Sequence, residues 1–397
     1  MKQPLRVLQI VPSISLVYGG PSQMVRGLSA ALAAAGVEVT VLTTDANGDV
    51  DEPPLEVPLN RPVDEAGYQV WYFRCSPFRR YKFSLGLLQW LARHAQEYDI
   101  AHIHALFSPI SSAAATVARW QGLPYILRPL GTLDPADLRK KRQLKQIYAA
   151  AIEKANLAGA TALHFTSLQE AAVSERFGTV TANLILPLGV NPPAPSPISR
   201  AEICDRYGIS ATTPVLLYMS RIDPKKGLDL LLPALETLAQ TGSKFHFVLS
   251  GANPQDRGYE QQIQQQIQAS VLAERTTLTG FVSGKEKEAL LAAADCFVLP
   301  SYYENFGIAV AEAMIAGKPV VISDQVHIWS DIAQSESGWV VPCELAALTE
   351  ALQQALQDPA QRQQKGQNAR QYAQENYSWP AIAQQMIAAY QQLLSIP

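Results

Sequence analysis

Short runs of consecutive apolar residues recur along the chain and alternate with longer stretches whose apolar positions repeat at helical spacing. In the first half, Leu5 to Val11, Val37 to Leu42, Tyr98 to His104, the stretch from Pro124 and Ala162 to Ser167 read as strands. In the second half the strands are Val215 to Ser220, Phe245 to Gly251, Thr276 running into a loop at Val282, Cys296 to Leu299 and Pro319 to Ile322. Helices fall between them. They are Gln23 to Ala35, an alanine-rich segment after Pro109, one ending near Gly178, one from Leu228, the glutamine-rich Tyr259 to Ala269, Ile308 to Ile315 and Trp379 to Leu394. Unbroken apolar runs suit strands covered on both faces, so the class is α/β with parallel sheets. Between the halves, Leu186 to Pro197 is too rich in proline for a helix or a central strand and marks a boundary. Two Rossmann-like, doubly wound domains facing a central cleft follow. Their expected extents are residues 1–190 and 198–375, with a terminal helix over 376–397.

Composition narrows this picture. A chain of 397 residues suits two cores rather than one. At 48% hydrophobic and 17% charged, with a formal net charge of -3, it has the make-up of a soluble globular protein with no general affinity for nucleic acid. Cys75, Cys204, Cys296 and Cys343 lack the spacing of a zinc site, a redox pair or a disulfide framework. No apolar run reaches membrane-spanning length, and Met1 to Pro12 reads as a first strand rather than a leader, so a cytoplasmic protein is expected.

Candidate chemistry gathers where strands give way to helices. From Pro300 to Val321 the chain reads as strand end, loop, helix, turn and next strand, with Gly317 placed to end the helix in left-handed conformation. Glu304 and Glu312 stand eight residues apart, one before the helix and one about a turn inside it. They can hold the two ends of one elongated ligand while the helix N-terminus offers amides to an anion between them, although in isolation such a pair is a cap and a solvated position. Arg221 follows the first strand of the second half, and Lys226-Gly227 precedes the next helix, which is the arrangement of a diphosphate clamp. Gly19 and Gly20 open the first crossover, where they permit close backbone approach or simply a tight turn. His102 and His104 close a strand and are read as facing opposite sides of the sheet, with His104 toward the cleft and His102 structural. Two basic stretches remain. One is Arg139, Lys140, Lys141, Arg142 and Lys145, and the other is Phe78 to Phe83 with Arg79, Arg80 and Lys82. They are solvated surfaces, or they meet an anionic membrane or a phosphorylated acceptor. Asp49-Val50-Asp51 is read as a solvated loop rather than a metal site, and Gly280 to Lys285 fails the spacing of a phosphate loop.

The segment Glu304, Phe306-Gly307, Glu312-Ala313 and Gly317-Lys318-Pro319-Val320-Val321 resembles, position for position, the motif of the retaining nucleotide-sugar glycosyltransferases of the GT-B fold, family 4 (glycosyl transferases group 1). The likeness extends over nearly the whole chain. It implies a nucleoside-diphosphate sugar as donor, with no cofactor and no metal. It implies Glu304 at the sugar hydroxyls, Glu312 at the ribose, and the loop of Asn305, Phe306, Gly307 and Ile308 at the sugar and phosphates. Arg221 and Lys226 would hold the diphosphate, Phe281 and Val282 would border the base, and Gly19 and Gly20 would face the donor phosphates. His104 would sit by the sugar and leaving phosphate. Acceptors in this fold belong to the N-terminal domain, near Arg128, and the terminal helix returns there. A carbohydrate or lipid-linked acceptor is expected, with peripheral contact at the inner face of a membrane as an option. Leu188 stands where the family often has Asn, which weakens a ligand role at that position. A GT-B epimerase or phosphorylase, and a non-catalytic nucleotide-sugar-binding protein, are the competing readings.

Overall fold

A computed structural model describes residues 4–48, 51–139, 142–193, 198–254 and 256–395. The chain divides into two compact units, residues 1–189 with 379–397, and residues 190–378. In the first, an eight-stranded sheet has the order β3-β4-β2-β1-β5-β6-β7-β8. Its strands are β1 (Arg6–Ile10), β2 (Glu38–Thr44), β3 (Pro62–Glu65), β4 (Tyr68–Phe73), β5 (Ile100–His104), β6 (Tyr125–Arg128), β7 (Ala162–Phe165) and β8 (Asn183–Ile185). All pairings are parallel except β3 with β4. In the second unit a six-stranded sheet, parallel at every pairing, has the order β11-β10-β9-β12-β13-β14. These strands are β9 (Val215–Met219), β10 (His246–Ser250), β11 (Thr276–Gly280), β12 (Cys296–Leu299), β13 (Val320–Ser323) and β14 (Gly338–Val341). The α/β class and the two doubly wound, Rossmann-like units implied by the sequence are those observed.

The apolar runs became strands because both faces are covered. Every residue of β5, β6, β7, β9, β12 and β13 is buried. Each fully buried Leu, Ile or Val adds roughly 1.5–3 kcal/mol of driving force to that arrangement. The direction of winding reverses once in each sheet. β1 lies between β2 and β5, and β9 lies between β10 and β12. At such a reversal the loops leaving the two central strands diverge to opposite faces and open a crevice at the carboxyl edge.

The helix Trp379–Leu394 belongs to the first unit and buries Ile382, Ala383, Met386 and Tyr390 along one stripe. Its first residue is fixed between two glycines. A Cβ on Gly27 would come within 2.2 Å of the Trp379 ring and one on Gly189 within 2.1 Å, so both positions need a bare backbone. Some boundaries differ from the sequence reading. The first helix begins at Gly20, not Gln23, because the fixed φ of Pro21 suits a first helical turn. The helix expected to end near Gly178 ends at Val173, where the Ser174 hydroxyl donates to the Glu170 carbonyl and Glu175 N turns away to Leu133 O.

Candidate active site

At the β9/β12 reversal the second unit assembles the residues singled out in its sequence. Arg221 and Ile222 leave β9 under restraint: the Tyr218 hydroxyl donates to Arg221 O at 3.1 Å, and the Asn253 amide donates to Ile222 O at 2.8 Å. Asp223 accepts from Lys225 N at 3.0 Å and sets the single turn Pro224–Lys226. Gly227 then takes φ +73°, and a Cβ there would stand 2.0 Å from Pro300 O at the end of β12. Tyr302 N donates to Lys225 O at 2.8 Å. The two loops are thus fastened together through their backbones, and Lys226 Nζ meets the Glu304 carboxylate across them.

A second lysine–glutamate pair joins the helices Gly284–Ala293 and Ile308–Ile315, with Lys287 Nζ 2.5 Å from Glu312. Sequence reasoning missed Lys287. The one signal for it was an alternating charge run at the start of the helix Gly284–Ala293. Gly307 adopts φ +75° at the head of the helix Ile308–Ile315, where a Cβ would crowd Val326, Val310 and Glu304. Ile308 and its neighbours therefore present first-turn amides, which have no partner inside the helix. The helix Leu228–Gln240 likewise starts at Gly227, so two helix N-termini flank the pair of loops and favour an anion. Asn305 accepts from the Tyr303 hydroxyl at 2.6 Å. The Phe306 ring is buried edge-on against Tyr377 and leaves only its backbone for a ligand. Phe281, 79% exposed just beyond β11, offers a bare aromatic face, while Val282 is buried.

Replacing Gly227 by alanine is expected to destabilise the second unit by about 2–5 kcal/mol, from an unfavourable positive φ and overlap with backbone. Thermal unfolding would show it as a lowered midpoint. An unchanged midpoint would mean that the two loops are not fastened as described.

In the first unit the reversal lies between β1 and β5. Gly19 has φ +70° and ψ -133° at the N-cap of the helix Gly20–Ala34, with open space around its Cβ position, so its glycine is required by conformation and not by crowding. His104 ends β5. The reading that His102 and His104 face opposite sides is corrected here: a strand repeats every two residues, so they share a face, with rings stacked at 4.5 Å. Both are fully buried. His104 Nε2 lies 2.7 Å from Gln9 Oε1, and its carbonyl accepts from Ser111 Oγ.

Beyond β5 and β6, Ala105, Phe107 and Leu130 all carry positive φ of 67°, 55° and 57°. Such angles are uncommon outside glycine and cluster where a loop is held for function. Glu153 holds this one. Its buried carboxylate accepts from Phe107 N at 2.8 Å and Ser112 Oγ at 2.6 Å, from a turn of π-helix at Ala149–Glu153, and burial pushes its pKa up. Arg128 ends β6 almost completely buried, its guanidinium against the Met24 sulfur. Burial lowers its pKa to about 10, and the Glu170 carboxylate opposes that shift. Arg128 is part of the core charge balance rather than a surface contact.

The basic stretch after β6 lines a cavity of about 480 Å³ with Arg139, Arg142, Lys145, Glu175 and Phe177. Lys145 is paired with Asp137 at 2.6 Å. Lys140 and Lys141, Asp49 of the acidic triplet, and Ala194 to Pro197 of the linker lie outside the described residues. Phe78 and Tyr81 of the second basic stretch are exposed. Among the described residues, no helix is long and apolar enough to cross a membrane.

Residues 199–372 match the family model described as "Glycosyl transferases group 1", and residues 19–189 match the one described as "Glycosyl transferase 4-like domain". The chain is 30% identical to alpha-D-kanosaminyltransferase from Streptomyces kanamyceticus over 195 residues, 49% of each chain. It therefore aligns with about half the length of that relative. It is 26% identical to phosphatidyl-myo-inositol mannosyltransferase from Mycobacterium leprae, over 98% of this chain and 96% of the relative. Among solved structures it is similar to sucrose-phosphate synthase from Thermosynechococcus elongatus, with a TM-score of 0.75 and 25% identity, over 99% of this chain and 100% of the other.

Proposed function

From the premise that the chain belongs to the glycosyl transferases group 1 family, we propose that it moves a sugar from a nucleoside-diphosphate sugar to an acceptor hydroxyl with retention of anomeric configuration. The observation that carries this reading is the convergence of Arg221, Lys226, Glu304 and the head of the helix Ile308–Ile315 at one reversal point. Breaking a sugar–phosphate bond builds negative charge on the departing diphosphate, so fixed cations and amides there have the largest leverage on the rate. Arg221 and Lys226 supply the cations, and Gly307, Ile308 and the loop from Asn305 supply backbone donors. Glu304 orients the sugar hydroxyls, Glu312 reaches the ribose, and Phe281 and Val282 border the base.

The N-terminal unit contributes Gly19, Gly20 and His104 to the donor and takes the acceptor. The leaving phosphate accepts the acceptor's proton in a front-side attack, a course that needs neither a carboxylate nucleophile nor a divalent metal. The Arg139–Arg142–Lys145 cavity favours an acceptor bearing an anionic group, as a phosphorylated sugar or a lipid-linked glycan does. Peripheral contact with an anionic membrane belongs to the same reading.

Diphosphate release across a panel of UDP-, GDP- and ADP-sugars, with and without candidate acceptor hydroxyls, tests the function. Release that requires an acceptor, with an α-configured donor giving an α-configured product, is expected. Release dependent on inorganic phosphate, or an inverted product, would overturn it.

A further inference from the structure

Behind His104 runs an unbroken chain of buried polar side chains. Its far end is the carbonyl of Leu186, 2.9 Å from His164 Nε2. His164 Nδ1 lies 3.2 Å from His102 Nε2, and His102 Nδ1 lies 2.9 Å from the Tyr390 hydroxyl. Gln9 Nε2 donates to that hydroxyl at 3.2 Å, and Gln9 Oε1 faces His104 Nε2 at 2.7 Å. His104 Nδ1 ends the chain, buried and without a hydrogen-bond partner.

The Leu186 carbonyl accepts only, so His164 Nε2 carries a proton. Neutral imidazole holds one proton, which leaves His164 Nδ1 as an acceptor for the proton on His102 Nε2. His102 Nδ1 is then bare and takes the hydrogen of the Tyr390 hydroxyl. That hydroxyl oxygen accepts from the Gln9 amide nitrogen, and the Gln9 oxygen accepts from His104 Nε2. The reverse polarity would need His164 to hold two protons in a fully buried site beside Arg128, and burial moves its pKa the other way, to about 3. One backbone carbonyl therefore orders five side chains.

We propose that the Leu186 carbonyl, relayed through Tyr390 of the terminal helix, fixes His104 as the Nε2–H tautomer with a bare Nδ1. Tyr390, Gln9, His102 and His164 are then positioning residues for His104. A bare Nδ1 accepts and cannot donate, so the group it reads is a hydroxyl hydrogen and not a phosphate oxygen. The tautomer stands on the geometry alone. Its bearing on turnover rests on the donor role proposed for His104.

Protein labelled with ¹⁵N-histidine and examined by two-bond ¹H–¹⁵N correlation at neutral pH reads the tautomers directly, with assignment by single His→Gln variants. His102, His104 and His164 are all expected as Nε2–H. An Nδ1–H signal from His104, or one averaged between tautomers, overturns the proposal. In Tyr390→Phe, Gln9 loses its acceptor and is free to turn. The His104 signal is expected to average and kcat to fall about tenfold with little change in donor KM. A Tyr390→Phe protein that keeps both the tautomer and kcat of the wild type counts equally against the relay. If the wild-type tautomer is as stated while His104→Ala leaves turnover unchanged, the relay stands and the donor role of His104 falls.

Discussion

Replacing Lys226 by alanine is expected to lower kcat with a matched sugar nucleotide by about 10²–10³-fold, the usual result of deleting one fixed donor at a developing charge. Lys226 sits at the end of a turn that Gly227 and Lys225 fasten to the outgoing end of β12, so its ammonium is held in place before any ligand arrives. Its side chain is only 15% exposed and that of Glu304 only 21%, which keeps solvent from screening either charge. The substitution also strands the Glu304 carboxylate, at about 1–3 kcal/mol. Two controls separate the effects. Glu304→Gln relieves the stranded charge without removing the cation, and Lys226→Arg keeps the charge but changes its geometry. The Arg221→Ala loss should be smaller, because Arg221 is 52% exposed and Asp223 lies 3.9 Å away. Steady-state kinetics beside a thermal melt decides. A folded Lys226→Ala protein turning over within threefold of wild type would end the assignment of a diphosphate clamp.

The second unit was the more legible half, for a physical reason. The glutamate-bearing part of its site is written in contiguous chain: β12, the loop from Pro300 and the helix Ile308–Ile315 fall within one stretch, and glycines mark both forced turns. Lys287 escaped notice because it reaches Glu312 across two helices, and no periodicity records such a meeting. In the first unit β1, β2, β5, β6 and β7 were readable, whereas β3, β4, β8 and the polar contents of the strands were not. Arg128, expected on the acceptor side, lies buried, and the Glu170 carboxylate of a different element offsets part of what burial does to its pKa. The β3–β4 hairpin turns on Ala66-Gly67, with φ of 45° and 87°, where the familiar signal would be Asn-Gly. The partner of the His102 ring is Tyr390, which lies far along the chain in the helix Trp379–Leu394. Local pattern predicts elements well, whereas contacts between distant polar residues have no local signature.

Acid should loosen the first unit before the second. His102, His104 and His164 are fully buried, and burial foremost, then the Arg128 guanidinium and the neighbouring imidazoles, holds them neutral well below their ordinary range. In the unfolded chain each would protonate near pH 6.5. Below that value the unfolded state binds protons that the folded state refuses, so stability falls as pH falls, and it continues to fall until the depressed folded pKa values are reached. The cost of each such histidine rises toward about 1.4 kcal/mol per pH unit as the unfolded imidazole becomes fully protonated, so the three together remove ~3 kcal/mol between pH 6.5 and 5.5. That is a large share of the stability of an ordinary domain. Glu153 acts in the opposite sense, because its pKa, raised by burial, lets the folded state take up a proton before the unfolded chain does. In the second unit burial lowers the pKa of His246, a residue that is only partly buried. Hydrogen exchange read peptide by peptide at pH 7.5, 6.5 and 5.5 should show β1, β5 and the helix Trp379–Leu394 losing protection well before β9 and β12. Calorimetry in buffers of different ionisation enthalpy should find nearly three protons taken up as the first unit opens at pH 5.5. Uptake below one proton would mean that these imidazoles already carry charge in the folded protein, and the neutral, ordered relay behind His104 would go with it.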